Sequence, residues 1–242
     1  VTALISQQTP GISLGNISNV TGPCVGFENS SGATTAAVTM PTGTQSGDLI
    51  LSCFITTTGG LTAPAGFTLA GSNVGTAVQT YMHYHKVTDP ASETSTYTYT
   101  GLTASQRQIC FAVIYRGVDM VTPLDQTATT GTATGTSVGI TGQTTVTNGC
   151  MLVSAIGGNA STGPPVWTQP ASWTQEGHST GLGKGSALAD FKQVTAGATG
   201  TETWSWNGGS LELCGVMIAL RPLVRRTYCF DSQVSLERAS NW

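Results

Sequence analysis

The sequence predicts an all-β protein: a jelly-roll-like antiparallel β-sandwich built from two similar halves, with extended N- and C-terminal arms. Three observations predict it. The densest apolar stretches are short, at Leu49–Ile55, Ile109–Tyr115, Cys150–Ile156 and Leu213–Leu220. Runs of that length, rich in β-branched residues and bounded by turn residues, read as strands buried on both faces. Charged residues are 9% of the 242, against roughly 25% in an average soluble domain. Helix-favouring Glu, Lys and Arg are therefore scarce, and the surface must be built from Thr, Ser, Gly, Asn and Gln, which suit strands and turns. Finally, landmarks in the first half of the chain recur in the second at a nearly constant spacing.

Residues 1–32 are turn-rich and carry one charge, Glu28. They are expected to form an N-terminal arm that gains order by lying on a neighbour. The sandwich is expected over 33–222, as halves 33–126 and 137–222 joined by 127–136. ATTAAVTMP opens the first half with a short strand, and PTGTQSGD turns into the buried run GDLILSCFI. The Pro64–Gly66 turn leads to FTLAGSN. VQTYMHYHKV alternates, with Tyr81, His83 and His85 on one face and Met82, Tyr84 and Lys86 on the other. TSTYTYT alternates again and stops at Gly101. ICFAVIY is buried on both faces and ends at Arg116–Asp119.

Thr127–Thr136 is almost entirely Thr, Ala and Gly and reads as a connection. The plan then returns. Pro170 and Trp173 each lie 106 residues after Pro64 and Phe67, Lys192 lies 106 after Lys86, and WSWNG at 204–208 lies 107 after YTYTG at 97–101. Aligning ICFAVIY with LCGVMIAL places Cys214 104 after Cys110. A spacing that holds across several landmarks indicates an internal repeat. Runs buried on both faces need a partner sheet, so one sandwich of about eight to ten strands, with the halves packed together, is the economical solution. Two small barrels are the alternative. The last twenty residues, 223–242, mix basic and aromatic side chains and are expected to form a C-terminal arm.

The net charge of −3 and the lack of a basic patch argue against nucleic-acid binding. No apolar run reaches the roughly 18 residues of a membrane helix, so no membrane partner is expected. Low charge reduces self-repulsion and favours packing against identical copies. Of six cysteines, Cys53, Cys110, Cys150 and Cys214 lie in apolar runs and act as small core residues. Cys24 and Cys229 could pair. No zinc spacing is present, and mostly reduced thiols favour assembly in a cytoplasm.

The order GDLIL, APAGFT, YHKV, TYTYTG, AVIYRGVD with PLD, and IALRP resembles a β-sandwich domain of phage structural proteins and bacterial surface proteins. The resemblance covers about residues 33–222. Phe67 stands where that family usually has Trp, whereas the second half has Trp173. The resemblance implies a structural or binding role in head decorations, tail fibres or adhesins, in a virion assembled in the host cytoplasm or at a cell surface. It brings no catalytic set.

The residues themselves point the same way. No GxSxG elbow is present, so a serine-hydrolase triad is not expected. His83 and His85 could chelate a metal but lack a third ligand. The loop EGHSTGLGKG around His178 lacks Walker spacing. Most acids sit at turns. Glu202 and Glu212 flank the WSW strand and form the one pair worth testing as glycosidase carboxylates. N-x-S/T triplets at Asn16, Asn19, Asn29 and Asn159 are expected by chance in a Ser/Thr-rich chain. No enzyme activity and no cofactor are therefore expected. Assembly, with itself and with other virion proteins, is assigned to Arg225, Arg226, Tyr228, Phe230 and Trp242. The alternative is an adhesin that binds surface glycans through Trp204, Trp206 and Asn207.

Overall fold

A computed structural model describes residues 11–19, 25–29, 34–57, 59–103, 108–159, 166–179 and 185–227. Among them the protein is all-β, and every strand pairing is antiparallel. In chain order the strands are β1 Gly11–Leu14, β2 Ser18–Asn19, β3 Val25–Asn29, β4 Ala36–Thr39, β5 Leu49–Thr56, β6 Thr68–Val74, β7 Gln79–Lys86, β8 Thr96–Tyr99 and β9 Gln108–Arg116. They continue with β10 Thr129–Gly135, β11 Ser137–Ile140, β12 Cys150–Gly158, β13 Trp167–Thr168, β14 Thr174–Ser179, β15 Gly185–Gln193, β16 Glu202–Trp206, β17 Leu211–Leu220 and β18 Val224–Thr227. A single 3-10 turn at Pro90–Ser92, capped by Asp89, interrupts them.

Apart from a two-stranded ribbon, β1-β18, the strands form four stacked sheets. The first large sheet runs β2-β9-β5-β7-β6, with β3 also pairing on β9. The second runs β10-β17-β12-β15-β14. A small sheet, β4-β8, covers the outside of the first, and β11-β16-β13 covers the second. A jelly roll distributes eight strands over two sheets; here each half has its own large and small sheet. Three apolar layers result. The central one lies between the large sheets and contains Leu51, Met82, Val113, Val153, Leu188 and Val216. The two outer ones lie under the small sheets, around Phe54 and Tyr99 in the first half and Trp204 and Met217 in the second.

This layering explains the apolar runs. In β5, Leu49, Leu51, Cys53 and Ile55 point to the central layer, and Ile50 and Phe54 point outward. A strand with apolar neighbours on both faces cannot alternate with polar residues. The large sheets approach closely at Gly157, where a Cβ would lie 2.8 Å from Ile55 Cγ2 and 2.9 Å from Thr80 Oγ1.

Three expectations need correction. Part of the supposed N-terminal arm belongs to the body: β2 and β3 pair with β9 along one edge of the first large sheet. The supposed connection at 127–136 is mostly strand β10, paired with β17 along its whole length. Alternating half-buried and exposed Thr and Ala let it line a sheet edge. The alignment of Cys110 with Cys214 is one residue out of register. Phe54 pairs with Cys110, and its counterpart Ile156 pairs with Gly215. A one-residue slip reverses the face, so Cys110 packs in the first outer layer and Cys214 in the central one.

Candidate functional site

The registers of the two large sheets provide a position-by-position comparison. Leu49 and Met151 lie opposite Lys86 and Lys192. Both edge strands carry a bulge, leaving Ala70 unpaired in β6 and Glu176 in β14. Most counterparts keep their character. Phe67 stacks on His85 with ring centroids 5.1 Å apart, and Trp173 stacks on Phe191 at 5.9 Å.

One set of counterparts does not. At one end of the central layer Ala70 and Leu220 belong to its apolar cluster, and Tyr84 and Leu124 pack against it. Their counterparts at the other end are Glu176, Asp190, Asn19 and Tyr115. The equivalence rests on pairing. Leu220 and Tyr115 lie opposite Met151 and Leu49. Leu124 bridges to Leu220 as Asn19 pairs with Tyr115. Tyr84 and Asp190 lie opposite Leu51 and Val153.

Asp190 is 7% exposed. Burial pushes its carboxyl up to about 6, against the opposing effect of hydrogen bonds from Tyr115 and Asn19. The Tyr115 hydroxyl donates to Asp190 Oδ2 at 3.1 Å. Glu176 is pushed up to about 7, by burial first and then by the charge of Asp190. Two carboxyls that influence each other titrate as a pair. Near neutral pH such a pair can both give and take protons. Lys192 follows Asp190 by two residues, on the same face of β15. Its Nζ donates to Asn16 Oδ1. Lys86, its counterpart, reaches the Val121 carbonyl at 3.4 Å.

The sequence reading missed this site. Its residues come from four separate segments, and no local motif marks them. The usable signal was the break in the repeat, where apolar first-half positions have acidic counterparts.

The residues selected from sequence are placed elsewhere. Trp204 is fully buried and Trp206 is 8% exposed, both in the second outer layer. A buried indole has no open face for a sugar ring. Asn207 Oδ1 accepts the backbone N–H of Val166 at 3.0 Å and so holds a loop. Glu202 accepts the Trp173 indole N–H at 3.1 Å, and Glu212 accepts the backbone N–H of Ala77, in the other half, at 3.0 Å. Their partners show two separate structural anchors.

His83 and His85 both face the first outer layer. His85 Nε2 lies 2.9 Å from Glu93, which also accepts the Tyr97 hydroxyl at 2.9 Å. His83 is 6% exposed, its Nδ1 has no hydrogen-bond partner, and burial pushes it down to about 4. Among the described residues no group of three or more His, Cys, Asp or Glu side chains could hold a metal ion. His178 lies on β14, opposite Ala187; residues 180–184 lie outside the described residues. Cys53, Cys110, Cys150 and Cys214 are buried and take part in no disulfide, whereas Cys24 and Cys229 lie outside the described residues. Arg225 and Arg226 fall in β18, opposite Ser13 and Ile12. Tyr228, Phe230 and Trp242 lie outside the described residues.

Comparisons with family models, curated proteins and solved structures find no match to the chain.

Proposed function

We propose that the protein is a non-enzymatic structural component of a virus particle, a bacteriophage capsid decoration or tail-fibre module that assembles through its terminal segments. One observation carries this reading. β1 and β18 form a separate two-stranded ribbon in which Gly11 lies opposite Thr227. The segments 1–10 and 228–242 are therefore joined to the body at one point. The described body thus begins and ends on paired strands, at Gly11 and Thr227. The Gly15 N–H extends the ribbon by donating to the Leu223 carbonyl at 2.6 Å, and the Leu223 N–H ties it to the body by donating to the Gly117 carbonyl at 2.8 Å. The resemblance to phage structural domains supports the reading, as does the low charge of the chain.

Light scattering on the full chain and on a chain lacking 1–10 and 228–242 tests it. The expected result is loss of self-association with an unchanged circular dichroism spectrum. A second variant, Tyr228→Ser with Phe230→Ser and Trp242→Ser, keeps the chain length intact and should also weaken assembly. Normal assembly by both variants would overturn the reading.

A further inference from the structure

We propose that the free edge of β6 receives the C-terminal segment of a neighbouring copy, with Tyr228 and Phe230 seated in the groove beside that edge. The inference rests on the reading that the chain assembles through its terminal segments, and it names the surface on which one of them lands. Among the described residues the two large sheets end on β2 with β3, on β6, on β10 and on β14. An open strand edge pairs readily with another chain, and short strands and charged side chains are the usual guards. β2 has two residues, β3 carries Glu28, and β14 carries Glu176 at its bulge. β10 is covered: the Thr130 carbonyl accepts the Thr141 N–H at 3.2 Å, and the Gly131 carbonyl accepts the Asn73 side-chain amide at 2.7 Å. β6 has no charged residue, and Ala70 stands at its bulge where β14 has Glu176.

This edge opens on a groove of about 660 Å³. Leu69, Ala70 and Ser72 line it from β6, and Leu124 and Ala128 line it from the segment before β10. Leu69 is 51% exposed. Asp125 is the one charged residue of the lining, and its carboxylate accepts the Val146 N–H at 2.7 Å. Such a groove fits an extended segment with one apolar face. Main-chain hydrogen bonds to the edge hold the segment, and alternate side chains fill the groove. Residues 228–242 lie outside the described residues, but their sequence has that pattern. Tyr228, Phe230, Val234 and Leu236 fall at even positions, and Asp231, Gln233, Ser235 and Glu237 at odd ones. A period of two gives a strand one apolar face. The copy that supplies the segment is a neighbour. β18 follows the tie at Leu223 and runs along β1 to Thr227. No Gly or Pro follows before Trp242, so no turn signal returns the segment to its own body.

The test uses full-length chains, alone and mixed. Leu69→Asp and, as a second variant, Thr68→Lys change exposed positions of β6 and should keep the wild-type circular dichroism spectrum. Each should weaken self-association at least tenfold in light scattering, as should a tail variant, Tyr228→Ser with Phe230→Ser. A mixture of Leu69→Asp with the tail variant contains one intact tail and one intact groove, so it should form 1:1 pairs that neither chain forms alone. Hydrogen exchange at Leu69–Ser72 should be slower in the assembled wild type than in the tail variant. Wild-type assembly by Leu69→Asp and Thr68→Lys, with assembly lost in the tail variant, would overturn the groove and leave assembly through the terminal segments standing. Variants that fail alone and also fail to pair when mixed would overturn exchange between copies. A monomeric wild type would overturn both readings; slow exchange at Leu69–Ser72 in that monomer, lost in the tail variant, would show the segment seated in its own groove.

Discussion

The indole N–H of Trp204 donates to Ser154 Oγ at 2.8 Å, and the Tyr99 hydroxyl donates to Ser52 Oγ at the same distance. The two serines hold equivalent positions, opposite Ala189 in β15 and His83 in β7. Each gives a buried aromatic donor its partner inside an outer core layer. Ser154→Ala leaves the indole N–H unsatisfied, which should cost about 1–3 kcal/mol. Urea unfolding should show a lower midpoint with an unchanged slope. A midpoint equal to that of the wild type would mean that the bond adds nothing.

The turn before each bulged edge strand offers a second test. Phe67 N–H donates to the Pro64 carbonyl at 3.1 Å, and Trp173 N–H donates to the Pro170 carbonyl at 3.2 Å. The third turn residue is Gly66 at φ 82° in one half and Ser172 at φ 72° in the other. A positive φ there favours glycine. Ser172→Gly should relieve about 1 kcal/mol of backbone strain, partly offset by a more flexible unfolded chain. Gly66→Ser should destabilise further, because a Cβ would sit 3.0 Å from His85 Nδ1. Opposite signs for the two substitutions in thermal melts are the expected result.

Much of the fold is legible in the sequence. Leu49–Ile55 and Cys150–Ile156 mark β5 and β12 because burial on both faces imposes an unbroken apolar run. The turns APAGF and QPASW mark the entries to β6 and β14. Strand β10 was not legible, because its Thr, Ala and Gly composition fits a linker equally well, and only pairing with β17 makes it a strand. The small covering sheets were missed for a similar reason. TSTYTYT and WSW read as strands, but alternation does not specify which layer they cover. The site was less legible still. Glu176, Asp190, Asn19 and Tyr115 are brought together by inter-sheet packing, and the error of one residue in aligning Cys110 shows how a face assignment fails without register.

Glu212 separates a structural reading of the acids from a catalytic one. Its Oε2 accepts the Ala77 N–H at 3.0 Å, and its Oε1 accepts the Thr76 N–H, so it anchors the turn between β6 and β7 to the opposite half. Glu212→Ala should destabilise the protein by about 1–3 kcal/mol by leaving both donors without this acceptor. Hydrogen exchange should show faster exchange at Thr76 and Ala77 than at residues of β5. Unchanged protection at those two amides would contradict the anchoring role.

Asp190 and His83 give the stability curve two opposed pH dependences. Burial raises Asp190 from 3.8 to about 6 in the folded protein. The folded state then keeps a proton that the unfolded chain releases. Stability linked to Asp190 is fully present below about pH 4 and is lost as pH rises through 6. Glu176 acts in the same direction, up to about 7. His83 is lowered from 6.5 to about 4. Its contribution is present above 6.5 and is lost as pH falls through 4. The windows overlap, so the wild-type chain should show a shallow profile between the two limits. Asp190→Asn removes the Asp190 part of one side of the balance and leaves Glu176 on it. Its melting temperature should rise relative to wild type as pH goes from 5 to 8, by the equivalent of on the order of 2 kcal/mol. His83→Gln should do the reverse and gain relative stability as pH falls towards 4. Thermal melts of the wild type and both variants in matched buffers separate the two contributions. Parallel profiles for wild type and Asp190→Asn would show that the carboxyl keeps its ordinary ionisation in the folded protein.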